Sequence, residues 1–197
     1  MMTPSDLPRE TPPESSADAR RAEERFTDYL HRLSEATLRG DGLSRARLAR
    51  LRSALGRRGV DHVAFREVGV ALPSGISEQD AETYLLVAAL FALHAAKSDK
   101  PWYGGYVRKD DSLGASCRRL GRGAGSMDAR FAALLDARRE DLAYRLRQVI
   151  ALLAAHDIGV RYDVLLRDLL AWDDPRREVQ RGWAADYWAP AGRSVAS

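Results

Sequence analysis

Ten consecutive apolar residues, YLLVAALFAL at positions 84–93, constrain this chain more than anything else in it. A strand with one wet face alternates polar and apolar residues, and this run does not. A helix made from it is apolar all round and has to be enclosed by other elements. Ser77, with Asp80 three residues on, forms a capping pair just ahead of the run and marks where the helix starts. Ten residues fall well short of the roughly 20 needed to cross a bilayer. The sequence therefore predicts a central core helix, and the rest of the chain has to wrap it.

Helical spacing is the only periodicity around that run. Phe26, Tyr29, Leu30 and Leu33 share a stripe in a helical pattern that begins near Asp18. Gly40, Asp41 and Gly42 break it. An Arg-rich helix follows, with Leu48, Leu51 and Leu55 as its stripe and Gly56 and Gly59 ending it. Residues 62–68 hold the apolar pair Val63 and Phe65 but no long period, and Pro73, Ser74 and Gly75 read as a turn. Beyond a loop over 97–111, a short helix spans 112–120 and closes at Gly121. Gly123, Ala124 and Gly125 then link it to a helix capped by Ser126. The clearest amphipathic helix runs over 140–156. Leu142, Leu146, Val149, Ile150 and Leu153 make its stripe, with Arg145 and Arg147 on either side. Asp163 reads as the cap of a helix carrying Leu165, Leu166, Leu169 and Leu170. Asp174 with Pro175 reads as the start of the last helix, proline at its first position, with Trp183, Tyr187 and Trp188 along it.

No strand alternation, hairpin turn or internal repeat competes with this pattern. The expected fold class is all-α, a compact bundle of about eight helices. Residues 1–17, with Pro4, Pro8, Pro12 and Pro13 among polar residues, are expected to be disordered. One all-α domain then covers 18–190, any division into two closely packed lobes falling near 97–111, and 191–197 forms a flexible tail. The length of 197 residues suits a single domain. A single cysteine, Cys117, rules out an internal disulfide framework and a cysteine-built zinc site. The start, MMTPSDLPRE, has no secretory pattern, so the expected location is the cytoplasm.

Catalytic constellations are scarce. His31, His62, His94 and His156 fall on separate elements without metal-ligand spacing. Cys117 lies beside Arg118 but also on an apolar stripe with Leu113 and Leu120, which points to burial. The stretch from Gly121 to Ser126 lacks the preceding strand and the lysine of a phosphate loop. The pairs Asp110, Asp111 and Asp173, Asp174 read as helix-start carboxylates rather than acid–base or magnesium groups. No metal and no cofactor is expected, nor an enzyme.

Charge is where the chain departs from the ordinary. The net charge is only +3, yet residues 39–58 carry seven Arg against Asp41 alone, and residues 97–130 carry net +4. GC-rich codons would account for 28 Arg against three Lys, but not for the clustering. Arg45, Arg47, Arg50 and Arg52 fan around the outer side of the Arg-rich helix with Asp41 as the one nearby acid. Arg118, Arg119 and Arg122 have none between Asp111 and Asp128. Guanidinium forks match phosphate oxygens, and such contacts bind nucleic acid without reading its sequence. In the loop, Trp102, Tyr103 and Tyr106 alternate with Lys97, Lys100, Arg108 and Lys109. That mixture suits base stacking on a single strand, or is simply a solvated aromatic loop.

Three stretches also carry a resemblance: SLGASCRRLG (112–121), RFAALLDARREDLAYRLRQVIALL (130–153) and DLLAWDDPRREVQRGWAADYW (168–188). In order and spacing they resemble the CasB family, the small subunit of the type I-E Cascade complex of CRISPR immunity, over roughly residues 76–188. The resemblance implies a non-catalytic all-α subunit, two copies of which pack head to tail beside the backbone and large subunits. It also implies a basic surface that holds the guide RNA–target DNA heteroduplex and the displaced single strand of the R-loop. The candidate phosphate contacts are then Arg118 and Arg119 first, Arg130 and Arg147 next, followed by Arg50, Arg52, Arg108, Lys109, Arg122 and Arg145. Trp172, Trp183 and Trp188 lie in the same motifs and read as core or subunit contacts. Two other readings stay open. One is a protein-interaction adaptor without direct nucleic-acid contact. The other is a helix-turn-helix regulator, which needs a symmetric dimer and a specific site.

Overall fold

Several helices of this chain start on a local signal, as at Asp41, Ser77 and Ser112. The computed structural model describes residues 16–55, 62–97, 111–121 and 127–188. Within them lie nine α-helices and one 3-10 turn, with no strand. They are α1 (Ser16–Leu38), α2 (Gly42–Ser53), α3 (His62–Val68), the 3-10 turn (Gly69–Ala71), α4 (Glu78–Ala95), α5 (Leu113–Arg119), α6 (Met127–Leu135), α7 (Arg139–Ala155), α8 (Tyr162–Leu170) and α9 (Glu178–Trp188).

The joint between α1 and α2 shows how tightly such signals are used. Gly40 adopts φ +94°, and Asp41 N–H donates to the Ala36 carbonyl while Gly40 N–H donates to Thr37. That is a Schellman closure, which glycine enters without strain. The next residue opens α2: the Asp41 carboxylate accepts from Leu43 N–H at 3.2 Å and Ser44 N–H at 3.1 Å. Hydrogen bonds from the Ser44 hydroxyl and from these amides hold that carboxyl below the usual range. At α4 the capping pair forms as read: Ser77 Oγ accepts from Asp80 N–H at 3.1 Å and donates to its carboxylate at 2.9 Å.

The apolar run does become the centre. Along α4, residues from Ala81 to His94 are buried except Glu82 and Leu86, which are half-buried. α4 packs against α2 and α3 from the N-terminal half and against α7 and α8 from the C-terminal half; α1 also reaches α8. One continuous core results, from Phe26 and Leu30 through Leu90 and Phe91 to Leu146, Leu165 and Trp183.

Three local expectations need correction. Residues 62–68 do form a helix, the ninth. Its inward stripe is the small pair Ala64 and Val68 at a spacing of four, whereas Val63 and Phe65 stay exposed. Asp163 does not cap α8. Arg161 occupies the cap position, Asp163 sits inside the first turn, and the two side chains are joined by a fork of hydrogen bonds. Pro175 does not begin α9 either. Arg177 N–H donates to the Asp174 carbonyl at 2.8 Å, so Pro175 lies inside a tight turn and the helix starts at Glu178. The aspartates also carry ion pairs, Asp111 with Arg119, Asp173 with Arg139, and Asp174 with Arg176, while Asp110 falls outside the described residues. Gly56, Gly59, the link at 123–125, Ser126, most of the 97–111 loop and both termini fall outside the described residues.

Candidate nucleic-acid interface

Leu48 and Leu51 turn α2 inward, which leaves its arginines at the rim. Arg50 is not without a partner. Its guanidinium donates to Glu67 Oε1 at 2.9 Å, and Arg47 approaches Glu67 Oε2 at 3.6 Å. Glu67 comes from α3 and is only 7% exposed, so it draws two arginine heads down onto the helix pair. The Arg50 side chain remains 44% exposed, but the bridge holds its guanidinium to Glu67 and has to open or tilt before it can serve a phosphate fully. Arg45 and Arg52 are exposed and form no ion pair among the described residues.

Substituting Glu67→Gln tests this arrangement. Leaving two arginine heads without their carboxylate is expected to destabilise the fold by about 1–3 kcal/mol and to release both for anions. Denaturant unfolding together with a nucleic-acid titration reads both effects, and tighter binding at low salt is the expected accompaniment.

α5 is short and almost wholly committed to packing. Ser112 caps it by accepting from Ala115 N–H, and its hydroxyl donates to Asp186 of α9 at 2.5 Å. Leu113 through Cys117 are buried, and only the last turn, Arg118 and Arg119, reaches solvent. Burial pushes the Cys117 thiol well up, which makes it a poor nucleophile. Arg119 is paired with Asp111, just ahead of the helix, contrary to the expectation that this cluster lacks an acid. Arg118 has no ion pair among the described residues.

The neighbouring helices bring further cations. Arg130 of α6 is half-buried; Arg145 of α7 is half-buried and Arg147 exposed, and none has an ion pair among the described residues. α5 and α6 each pack on α7 and on α9, so Arg118, Arg119, Arg130, Arg145 and Arg147 ride on helices joined through α7. Arg50 and Arg52 belong to a different group, since α2 packs on α1, α3 and α4. Arg108, Lys109 and Arg122 lie outside the described residues, as do Trp102, Tyr103 and Tyr106.

Acid–base groups are buried in the core instead of gathering at the interface. His31 stacks on Phe91 at 5.7 Å between ring centres, and burial holds its pKa down to about 3. His94 Nδ1 lies 3.0 Å from the Tyr162 hydroxyl, and burial lowers it to about 4. Burial raises Asp168 to about 6 although it accepts the Trp183 indole N–H at 2.6 Å. Among the described residues no three His, Cys, Asp or Glu side chains gather as a metal site, and no helix is long and apolar enough to cross a membrane.

The family model for CRISPR-associated protein Cse2 matches residues 47–188. The chain belongs to the CRISPR-associated Cse2 family. It is 35% identical over 172 residues to the CRISPR-associated protein Cse2 of Thermus thermophilus, covering 87% of this chain and 92% of that one. The crystal structure of CasB from Thermus thermophilus is similar at a TM-score of 0.67 and 32% identity, over 84% of this chain and 97% of that one. The crystal structure of M. ruber CasB follows at 0.65 and 31%, over 85% and 92%. A chain from a CRISPR RNA-guided surveillance complex shares the fold at a TM-score of 0.64 and 21% identity.

The motif resemblance to CasB is therefore confirmed, and the family match extends ahead of residue 76 into α2. In this Cse2-family chain the motif aromatics hold helices together. Trp172 donates to the Ala137 carbonyl, Gln180 to the Trp172 carbonyl, Trp183 to Asp168, and the Tyr187 hydroxyl to Asp128. Trp172 and Trp183 are core; Trp188 is 44% exposed. Sequence reasoning missed Glu67, Asp168 and Tyr144. The first two are visible only once distant helices meet. Tyr144 could have been found as the aromatic residue opposite the leucine stripe of α7.

Proposed function

We propose that this chain is a non-catalytic small subunit of an RNA-guided CRISPR surveillance complex of the Cascade type, working in the cytoplasm. It holds the guide RNA–target DNA heteroduplex and the displaced single strand through arginines, while base pairing by the guide supplies specificity. Its protein partners are the backbone and large subunits and a second copy of itself. The observation that carries this reading is the set of cations without acidic partners among the described residues, Arg118, Arg130, Arg145 and Arg147, on α7 and on two helices that each pack on it. Membership of the Cse2 family supports it. Arg119 and Arg50 act beside them once their bridges to Asp111 and Glu67 open or tilt. Arg52, Arg108, Lys109 and Arg122 complete the set.

The test is a titration of non-specific single-stranded DNA, RNA, duplex and heteroduplex at several salt concentrations. Binding is expected to fall steeply with salt and to ignore sequence. Arg118→Ala should reduce the log–log salt slope by about 0.7 on single strands and about 0.9 on duplex DNA. Arg118→Ala with Arg119→Ala should take away less than twice that, because Arg119 is already partnered. No binding at low salt overturns the reading in favour of the adaptor. The exposed apolar residues Phe65 and Val70, close to the 3-10 turn, are what favour that adaptor reading.

A further inference from the structure

Tyr144 stands where the fold has no use for an aromatic ring. Leu142, Leu146, Val149, Ile150 and Leu153 bury one side of α7, and Tyr144 lies at the middle of the opposite side, 61% exposed. Its hydroxyl has no hydrogen-bond partner among the described residues. The ring meets the Arg145 guanidinium, whose central carbon lies 5.6 Å from the ring centre. That contact covers one face of the ring and steadies it. Tyrosine is a weaker helix former than the charged residues common on such a face, so local propensity does not call for it either.

The charges around the ring are directional. Arg147 lies one turn toward the C-terminus on the same exposed side, and Arg145 flanks the ring. Glu140 and Asp141 lie one turn toward the N-terminus, also exposed. Close to the ring, acids therefore lie on its N-terminal side and cations on its C-terminal side, with Arg138 further off at the N-cap.

We propose that Tyr144 is a stacking platform for one unpaired nucleobase of a single strand, with Arg145 and Arg147 taking the adjacent phosphates. The inference rests on the reading above that α7 faces nucleic acid, and it adds which form is bound there. A base in a duplex is already stacked on its neighbours and cannot lie on the ring, so the site selects single strands. The strand leaves toward Arg147 and Gln148, away from Glu140 and Asp141.

The experiment compares a thymidine oligonucleotide with an abasic strand of equal length and charge, binding each to wild type, Tyr144→Ala and Tyr144→Phe at fixed salt. Wild type is expected to prefer the strand with bases. Tyr144→Ala should lose about tenfold or more on it, in line with the loss of one base–aromatic stack. The abasic strand, the duplex and the salt slope should be unchanged, and Tyr144→Phe should bind as wild type does. Equal binding of the base-containing strand by wild type and Tyr144→Ala overturns the platform and leaves the phosphate-binding role standing. An equal loss on both strands also overturns it, since the residue would then act through Arg145. Failure of wild type to bind either strand at low salt overturns both readings.

Discussion

Gly114→Ala is expected to lower the melting temperature of this protein by roughly 6–12 °C, the equivalent of about 3 kcal/mol in a chain of this size. Gly114 lies in the first turn of α5, where that helix crosses α9. A Cβ placed there would come within 2.1 Å of the Trp183 carbonyl oxygen and 2.9 Å of its Cα. These are backbone atoms, so no side-chain rotation relieves the clash and the two helices must part. Local propensity argues the other way, because alanine is better than glycine inside a helix by about 1 kcal/mol. The packing clash is the larger effect and sets the sign. Gly182, on α9 itself, is the matched control: nothing lies within 4 Å of its would-be Cβ. Gly182→Ala should raise the melting temperature by a few degrees, on the order of 1 kcal/mol. Thermal unfolding of both variants beside wild type gives the answer, and equal shifts would show that α5 and α9 do not meet as described. Because α5 ends in Arg118 and Arg119, Gly114→Ala should also weaken nucleic-acid binding at temperatures where the chain is still folded.

Acidification is expected to remove about 3 kcal/mol of stability between pH 6.5 and pH 4. In the unfolded chain His31 and His94 take up protons near pH 6.5. In the fold burial delays this to about 3 for His31 and about 4 for His94. Their contribution is thus complete above pH 6.5 and is lost as the pH falls toward those values. The two together set a slope of about 2.7 kcal/mol per pH unit, since each excess proton on the unfolded chain contributes about 1.36. Asp168 works in the opposite direction. Its folded value of about 6 lies above the ordinary 3.8, so the fold gains a proton first and recovers about half of that slope between pH 6 and pH 4. A loss of this size is a large part of the stability of an ordinary domain. Urea unfolding across pH 4–7.5 measures the curve. His31→Leu should flatten it by about half above pH 6, and Asp168→Asn should steepen it below pH 6 while retaining an acceptor for the Trp183 N–H. A flat curve in wild type would mean that neither histidine is enclosed as the structure has it.

Several signals that lie within one turn of chain were read correctly. The Ser77–Asp80 pair, the glycine and aspartate between α1 and α2, and the leucine stripes of α2 and α7 act through neighbours three or four residues away. Two of the misreadings share one cause. Asp163 and Asp174 are good caps by residue type, but Arg161 and the Asp174–Arg177 turn compete for the same carboxylates and amides, and type alone does not rank the competitors. The short stripe of α3 was missed because Ala64 and Val68 bury too little apolar surface to stand out, and the helix is completed by its packing on α2 and α4.

The candidate interface divides along the same line. Residue order alone determined that arginines cluster, that they lie on helices and that the leucines beside them face inward. Helical spacing is geometry, and a charged head opposite a leucine stripe has to be in water or paired. Which heads are paired was decided only by tertiary structure. Glu67 claims Arg47 and Arg50 from a different helix, Asp111 folds back onto Arg119, and Arg118, Arg130, Arg145 and Arg147 find no acid among the described residues. An ion pair depends on distance in space, which falls off within a few ångströms. The chain order of two charges says little about that distance until the core of α4 and its neighbours has drawn the helices together.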